Sequence, residues 1–176
     1  MEADKIIIDP FEHYEKQSYR NRCCISGPNG KQLLTIPVLH QNLFRTPICE
    51  VKIQDDSNWK MIHWRSIESA YRNSPYFEFY EKEIYAAFSL ETNLLFDFNI
   101  HLLEILMAIF KIQKPLELTD QFQKIWPGLN DFRHAIHPKI NSGIIPEYRQ
   151  VFSDRNGFQN DLSVIDYLFN CGPALN

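Results

Sequence analysis

The sequence has no long apolar run and no run of basic residues. Its longest apolar stretch, residues 94–110, is interrupted by Asp97, Asn99, His101 and Glu104, so it is not expected to span a bilayer. The net charge is −4 and Lys and Arg form no continuous cluster, which argues against nucleic acid as a partner. The amino terminus lacks a secretion-signal pattern. These absences predict a cytoplasmic protein that does not insert into membranes.

Cysteine and glycine are also scarce, with four and six residues among 176. The cysteines, Cys23, Cys24, Cys49 and Cys171, have no metal-ligand spacing, and without a secretion signal disulfides are not expected. We interpret them as small buried apolar residues. Too few glycines surround Gly30 for a phosphate-binding loop. The sequence therefore indicates no metal site and identifies no cofactor.

The first third of the chain has strand patterns. Residues 5–9 form a β-branched run that ends at Pro10, and Asn29-Gly30 lies between residues 22–26 and 32–38. Asn-Gly between two such runs predicts a β-hairpin, because both residues tolerate positive φ. Residues 48–54 alternate apolar and polar side chains, which predicts a further strand with one wet face.

The stretch from Asn58 to Tyr80 has the highest density of aromatic side chains in the chain. Its periodicity predicts a helix over residues 58–72, which ends because a residue before proline, here Pro75, is disfavoured in the α region. A second helix is predicted over residues 76–88. His63 lies three or four residues from other inward-facing positions of the first helix, so it is expected on the packed face.

Further helices are predicted along the rest of the chain. An amphipathic pattern covers residues 92–111, a short helix is predicted at 119–125, and residues 130–137 are predicted to form a helical turn before Pro138. A turn is expected at Asn141-Ser142-Gly143. On the polar side of the 92–111 helix, Asp97, His101 and Glu104 share one face; a solvated face explains them better than a metal site.

The last predicted helix begins after Ser163, with Asp166 three residues later as in a capping box. Gly172-Pro173 is its expected end. Together these elements predict a single mixed α/β domain over residues 1–176, in which a small sheet from the amino-terminal third has helices packed on it. The order of the strands is not predicted.

Several polar residues allow two interpretations. His63 is either a hydrogen-bonded core histidine or an acid or base facing a pocket, and Arg65 is either a surface charge or an anion clamp. Asp166 is either a helix cap or a carboxylate presented to the pocket. A lone histidine on an apolar face seldom performs chemistry, so for His63 and Arg65 spacing alone favours the first interpretation.

Six blocks of sequence, in order along the chain, resemble the WbqC-like family. They are YRNR at 19–22, GPNG with LTIPV within 27–38, NW with HWRS within 58–66, AYRNSPYFEFY at 70–80, LLFDFN at 94–99 and LSVIDYLFNCGP at 162–173. Members of this family usually open with a strand and a helix before the part that begins here near Lys5. The resemblance therefore implies that this chain lacks that opening segment.

The resemblance implies a role in surface-polysaccharide biosynthesis, because members of this bacterial family are often encoded among genes for O-antigen, the lipopolysaccharide side chain, and related polymers. That association is genomic and does not identify a reaction. Matched to this sequence, the recurrent polar positions of the family fall at Tyr19, Arg20, Asn21, Arg22, His63, Arg65, Ser66, Tyr71, Pro75, Tyr76, Gln150, Ser163, Asp166, Asn170 and Gly172.

The favoured hypothesis is an enzyme that acts on a nucleotide-linked or amino sugar, with group transfer as the expected reaction. His63 is the hypothesised general acid or base, and Asp166 orients it. The hypothesised substrate-binding residues are Tyr19, Arg20, Arg22, Arg65, Tyr71, Gln150 and Asn170, and among them the arginines match anionic groups. Two alternatives stay open: a non-catalytic binding or scaffolding subunit of a biosynthetic complex, and an inactive truncated homologue.

Overall fold

The computed structural model describes residues 3–39, 45–54, 57–139 and 145–174. Its strands and helices confirm the predicted mixed α/β fold. No helix within those ranges is both long and apolar enough to cross a membrane. The predicted turn at 141–143 and the residues 55 and 56 that precede the first helix lie outside the described ranges. In chain order the elements are β1 (Ile6–Ile8), β2 (Arg22–Gly27), β3 (Gly30–Thr35), α1 (Trp59–Tyr71), α2 (Phe77–Ala87), α3 (Leu95–Ile109), β4 (Leu116–Leu118), α4 (Ser153–Asn156) and α5 (Val164–Cys171).

The predicted hairpin is confirmed. β2 and β3 pair antiparallel, and the pairing runs from Arg22 opposite Thr35 to Gly27 opposite Gly30. Gly30 has φ +106°, a conformation that side-chain-bearing residues rarely adopt. The tight turn therefore requires glycine at this position, as the sequence indicated.

The strand predicted over residues 48–54 is wrong. Residues Ile48–Glu50 form a short 3₁₀ helix, and only single bridges follow, from Lys52 to Leu94 and from Ile53 to Val38. The alternation is real, since Val51 and Ile53 are buried and Lys52 is exposed. Alternation reports that one face is buried, however, and a strand also needs a neighbouring ladder of backbone hydrogen bonds.

The small sheet is two separate two-stranded sheets. β1 pairs in parallel with β4, which lies far along the chain, and Ile6 is opposite Leu116. The residues after β4 do not form the helix predicted at 119–125, and residues 130–137 form only turns. Ile125 is 73% exposed and Phe122 is 46% exposed and stacks on His13, so the apolar side chains of this segment are not packed on the core, and packing of an apolar face supplies most of a helix's stability in a protein.

The three central helices match their predictions closely. Trp59, His63 and Ile67 of α1 are buried on one face, which confirms the inward position of His63. The core consists of two apolar clusters, one around Trp59 and Phe98 and the other around Tyr71 and Phe169. Phe88 packs against both, and the second cluster includes α5, which carries Asp166 into the interior.

Candidate functional site

Asp166 lies on the inward face of α5, among Ile165, Leu168 and Phe169, and it is fully buried. The prediction of a capping box at Ser163 is wrong, because the Ser163 side chain makes no capping hydrogen bond. The backbone does make a bond at this point, from the Asp166 N–H to the Ser163 carbonyl at 2.9 Å. The Asp166 carboxylate turns inward instead, because two tyrosine hydroxyls offer it hydrogen bonds inside the core. The other predicted end of the helix is confirmed, since Gly172 follows its last residue at φ +82°.

The Asp166 carboxylate accepts a hydrogen bond on each of its oxygens. Tyr71 Oη donates to Oδ1 at 2.8 Å, and Tyr148 Oη donates to Oδ2 at 2.7 Å. Tyr71 Oη in turn accepts from the Ser26 backbone N–H at 3.0 Å. This cluster joins α1, β2, α5 and the segment before α4. It is named here the tyrosine–aspartate network.

Burial dominates the protonation of this network. It raises the pKa of Asp166, and the hydrogen bonds from Tyr148 and Tyr71 act in the opposite direction. Burial also raises the pKa of Tyr71 and of Tyr148, and for Tyr71 the neighbouring Asp166 charge adds to the effect. Both phenols therefore stay protonated and donate. Asp166 has both carboxylate oxygens engaged by these tyrosines and no exposed surface.

Gln150 links this network to a loop at the surface. Its side-chain Nε2 donates to the Gln159 carbonyl at 2.9 Å, and its Oε1 accepts from the Gln159 N–H at 2.8 Å. Ser26 Oγ donates to Gln159 Oε1 at 3.2 Å. The backbone and side chain of Gln159 are therefore fixed from two sides, which makes the loop a rigid wall.

That wall borders a pocket of about 480 Å³ between the β2–β3 hairpin, the loop before α5 and residues 138–139. We name it the hairpin groove. Phe158 forms part of its wall and packs edge-on against Tyr148, with ring centroids 5.3 Å apart. The tyrosine–aspartate network therefore supports the groove through this ring. The groove is lined by Lys31, Pro138, Lys139, Phe158, Gln159, Asn160 and Asp161.

The polar groups of the hairpin groove are incompletely satisfied. Asn160 Oδ1 is buried and has no hydrogen-bond partner among the described residues. Lys31 Nζ lies 3.9 Å from Asp161 Oδ2, a long contact for an ion pair. Asp161 has φ +56°, a left-handed conformation uncommon outside glycine. Unsatisfied polar atoms and backbone strain concentrate at ligand sites, so this groove is the candidate functional site.

Several of the sequence-predicted residues meet at or beneath this groove. Tyr71, Gln150 and Asp166 belong to the network, and Asn170 Nδ2 donates to the Asp166 carbonyl at 2.7 Å. Tyr19 lies close enough to Asp161 of the groove lining for that charge to affect its pKa. Burial raises the Tyr19 pKa, Cys24 and Asp161 raise it further, and Arg22 lowers it. Arg22 donates to the Gln17 carbonyl, and its buried Nε has no partner within the described ranges.

His63 does not join this group. Its Nε2 lies 3.1 Å from the Thr35 carbonyl, and Trp59 packs against its ring with centroids 5.2 Å apart. Burial lowers the pKa of His63, and the Thr35 contact opposes that shift, so the neutral ring donates to the carbonyl. Since the Asp166 oxygens bond to tyrosines, the structure gives His63 a different partner from the one hypothesised. Arg65 is exposed on the same helix.

Arg20 lies in a second, smaller pocket of about 240 Å³, named here the arginine pocket. Its guanidinium forms a two-pronged ion pair with Glu12, at 2.7 and 2.8 Å. Arg133, also in the lining, contacts Asp9 at 2.8 Å and Asp131 at 2.5 Å, and it lowers the pKa of Asp131 to about 2. The arginine pocket is lined by Glu15, Arg20, Arg133, His134, Ile136 and His137.

The sequence did not single out most of the groove residues. Lys31 directly follows the hairpin glycine, and residues 158–161 lie in the loop before the last helix. In the sequence, these residues look like parts of a turn and a loop that only connect secondary-structure elements. The one usable signal was the polar pair Asn160-Asp161 just before an apolar helix. The described residues contain no group of three or more His, Cys, Asp or Glu side chains placed to hold a metal ion.

Comparisons with known proteins locate the chain within one family. No solved structure matches it. Among curated proteins, it is 35% identical over 75 residues to the uncharacterized protein Rv1507c of Mycobacterium tuberculosis, an alignment that covers 43% of this chain and 32% of that protein. The chain thus spans about a third of that relative's length. The model of the WbqC-like protein family matches residues 1–141, so the chain belongs to the WbqC-like protein family.

Proposed function

We propose that this protein is a cytoplasmic enzyme of bacterial surface-polysaccharide biosynthesis that binds a nucleotide-linked or amino sugar in the hairpin groove and takes part in group transfer. The observation that carries the proposal is the groove itself. It combines amide, ammonium and carboxylate groups with one aromatic face, which suits a hydroxyl-rich ligand. Its volume of about 480 Å³ lies within the usual range for small-molecule sites.

Within this proposal, Asp161 is the general base. It is the carboxylate in the groove lining. In transfer of a sugar from its nucleotide to a hydroxyl, the base accepts the hydroxyl proton as the oxygen attacks the sugar carbon, and the bond to the nucleotide phosphate breaks so that the nucleotide leaves. Phe158 and Gln159 hold the ligand against the wall that the tyrosine–aspartate network supports. Asp166, Tyr71, Tyr148 and Gln150 act through that wall as positioning residues.

Thermal unfolding against a panel of nucleotide sugars, amino sugars and acyl donors tests the proposal. A ligand that binds only the native state stabilises it by about 2.7 kcal/mol at a hundredfold excess over Kd. We expect at least one sugar compound to raise the midpoint. Asp161→Asn should keep that shift and lose turnover with an acceptor, whereas Asp120→Asn, exposed after β4, should keep both.

A second candidate is a binding subunit of a biosynthetic complex. The segment after β4 favours it, because Phe132 and Ile125 are 74% and 73% exposed. Large exposed apolar side chains on one segment are typical of interaction surfaces. A cooperative unfolding transition that no sugar compound moves would favour this candidate over the enzyme.

A further inference from the structure

The charges of the hairpin groove are unbalanced. Lys31 and Lys139 supply two ammonium groups, and Asp161 supplies one carboxylate, which it shares with Lys31 at 3.9 Å. Among the described residues, no carboxylate lies within ion-pair distance of Lys139. The groove therefore presents excess positive charge to whatever enters it.

Asn160 also lines the groove, but its Oδ1 is buried and so lies out of reach of a ligand there. The groove therefore offers a ligand the positive charge of its two lysines.

We infer that the hairpin groove recognises a sugar through an attached phosphate, which distinguishes a sugar phosphate or nucleotide-linked sugar from a free amino sugar. The Lys139 ammonium binds the phosphate, and Lys31 contributes once the anion draws it from Asp161. A free amino sugar carries an ammonium group that Lys31 and Lys139 would repel. This inference rests on the proposed function and specifies its substrate class.

Calorimetric titration of the full chain with matched compounds tests the inference. The set comprises UDP-, GDP-, dTDP- and CMP-linked sugars, glucose and mannose 1-phosphates, the same sugars without phosphate, and glucosamine. We expect binding by a phosphate-bearing compound and at least tenfold weaker binding by its phosphate-free counterpart. Added salt should weaken the binding of the phosphate-bearing compound, because salt screens charges at the surface.

Variants locate the binding. Lys139→Ala should weaken the binding of the phosphate-bearing ligand about tenfold or more. It should also make that binding less dependent on salt concentration. Lys82→Ala, an exposed lysine on α2, is the matched control and should change neither. Lys31→Ala should weaken binding by a smaller factor than Lys139→Ala, because Lys31 also lies 3.9 Å from Asp161 Oδ2.

The outcomes separate the inference from the proposed function. If a phosphate-free or amino sugar binds as tightly as its phosphate-bearing match, the inference is overturned and the proposed function stands. Equal binding of a phosphate-bearing ligand by wild type and Lys139→Ala also overturns it, since the site then lies elsewhere. If no compound of any class binds a chain that unfolds cooperatively, both are overturned.

Discussion

The arginine pocket and the hairpin groove are both lined by charged side chains, yet they differ in where their hydrogen bonds go. In the arginine pocket, Arg20 is bound by Glu12, and Arg133 is bound by Asp9 and Asp131. In the groove, Asn160 Oδ1 has no partner among the described residues and Lys31 has only a distant one. The first set of charges is satisfied within the protein, and the second set is not.

This difference changes how the arginines are interpreted. The sequence suggested that Arg20 clamps an anionic substrate, because guanidinium groups match phosphate and carboxylate. Its donors are already used by Glu12 and Glu15 at 2.7 to 3.3 Å, so an anion would have to displace a carboxylate. Residue type alone therefore does not identify a site. What distinguishes the groove is polar capacity that the fold leaves unused.

The largest expected effect comes from breaking the arginine pocket. Arg133→Ala removes the ion-pair partner of Asp9, whose side chain is 4% exposed and keeps only hydrogen bonds from the Phe11 N–H and Thr119 Oγ1, and it also removes the hydrogen bonds to the Gln123 and Lys124 carbonyls. A buried charge left without its partner costs about 3 kcal/mol or more. We expect the free energy of unfolding, measured with denaturant, to fall by about that amount.

Arg65→Ala is the matched control, because Arg65 is exposed on α1, and its effect should stay within about 0.5 kcal/mol. If Arg133→Ala were as mild as this control, the arginine pocket would not be held together by its own ion pairs. The contrast with the groove would then disappear.

The tyrosine–aspartate network beneath the groove should behave like the arginine pocket. Asp166→Ala leaves the Tyr71 and Tyr148 hydroxyls without their acceptor, and we expect a loss of about 2 to 3 kcal/mol in unfolding free energy. Asp166→Asn keeps an oxygen and the side-chain size, so its loss should be smaller. Asp154→Ala, an exposed carboxylate on α4, is the control.

The pH dependence of the same variants gives an independent check. Because burial raises the pKa of Asp166, the folded state holds its proton to a higher pH than the unfolded chain does. The contribution of Asp166 to stability should therefore decline as pH rises from about 3.9 through the raised pKa, so the stability difference between wild type and Asp166→Asn should change over that range. Identical pH profiles would show that the buried carboxylate is not the titrating group.

The smallest expected effect is on the pH dependence of stability at His63. It tests whether His63 is a buried, hydrogen-bonded core residue like those of the arginine pocket and the tyrosine–aspartate network. Because burial lowers its pKa, the unfolded chain takes up the proton at a higher pH than the folded protein does. Stability should fall as pH drops below about 6.5, with this residue contributing up to about 1.4 kcal/mol per pH unit. His63→Gln, unfolded with denaturant between pH 5 and 8, should show a shallower fall.

His134→Gln serves as the comparison, because His134 is an exposed histidine, and the fall in stability of the two variants is compared with that of the wild-type protein. If His63→Gln followed the wild-type curve, burial would not control His63, and a role for it in acid–base chemistry would regain support.

Local signals in the sequence predicted much of the fold. Asn29-Gly30 located the hairpin, Pro75 marked the break between α1 and α2, and apolar periodicity gave the buried face of α1. The failures depended on distant partners. The pairing of β1 with β4 joins segments far apart in sequence, and the apolar side chains Phe122 and Ile125 of the predicted 119–125 helix are exposed instead of packed on the core.

The candidate site was predicted less completely, for the same reason. Tyr71, Asp166 and Asn170 lie in the blocks that carried the family resemblance, and the structure brings Tyr71 and Asp166 together across the core. The groove above them is formed by residues of a hairpin and a loop that have no common pattern in sequence. Their relation appears only when α5 docks on β2, where the Ser163 N–H donates to the Cys24 carbonyl at 2.7 Å.

The sequence by itself determined the local structure, namely the hairpin turn, the helices with their buried faces, and the family. These depend on backbone preferences and on periodicity within a few residues. The tertiary structure alone decided which polar groups are satisfied. Arg20 meets Glu12, Asp166 meets Tyr71, and Asn160 meets no partner among the described residues. Hydrogen bonds and ion pairs act over a few ångströms, so only the folded chain determines which side chains come within reach of each other.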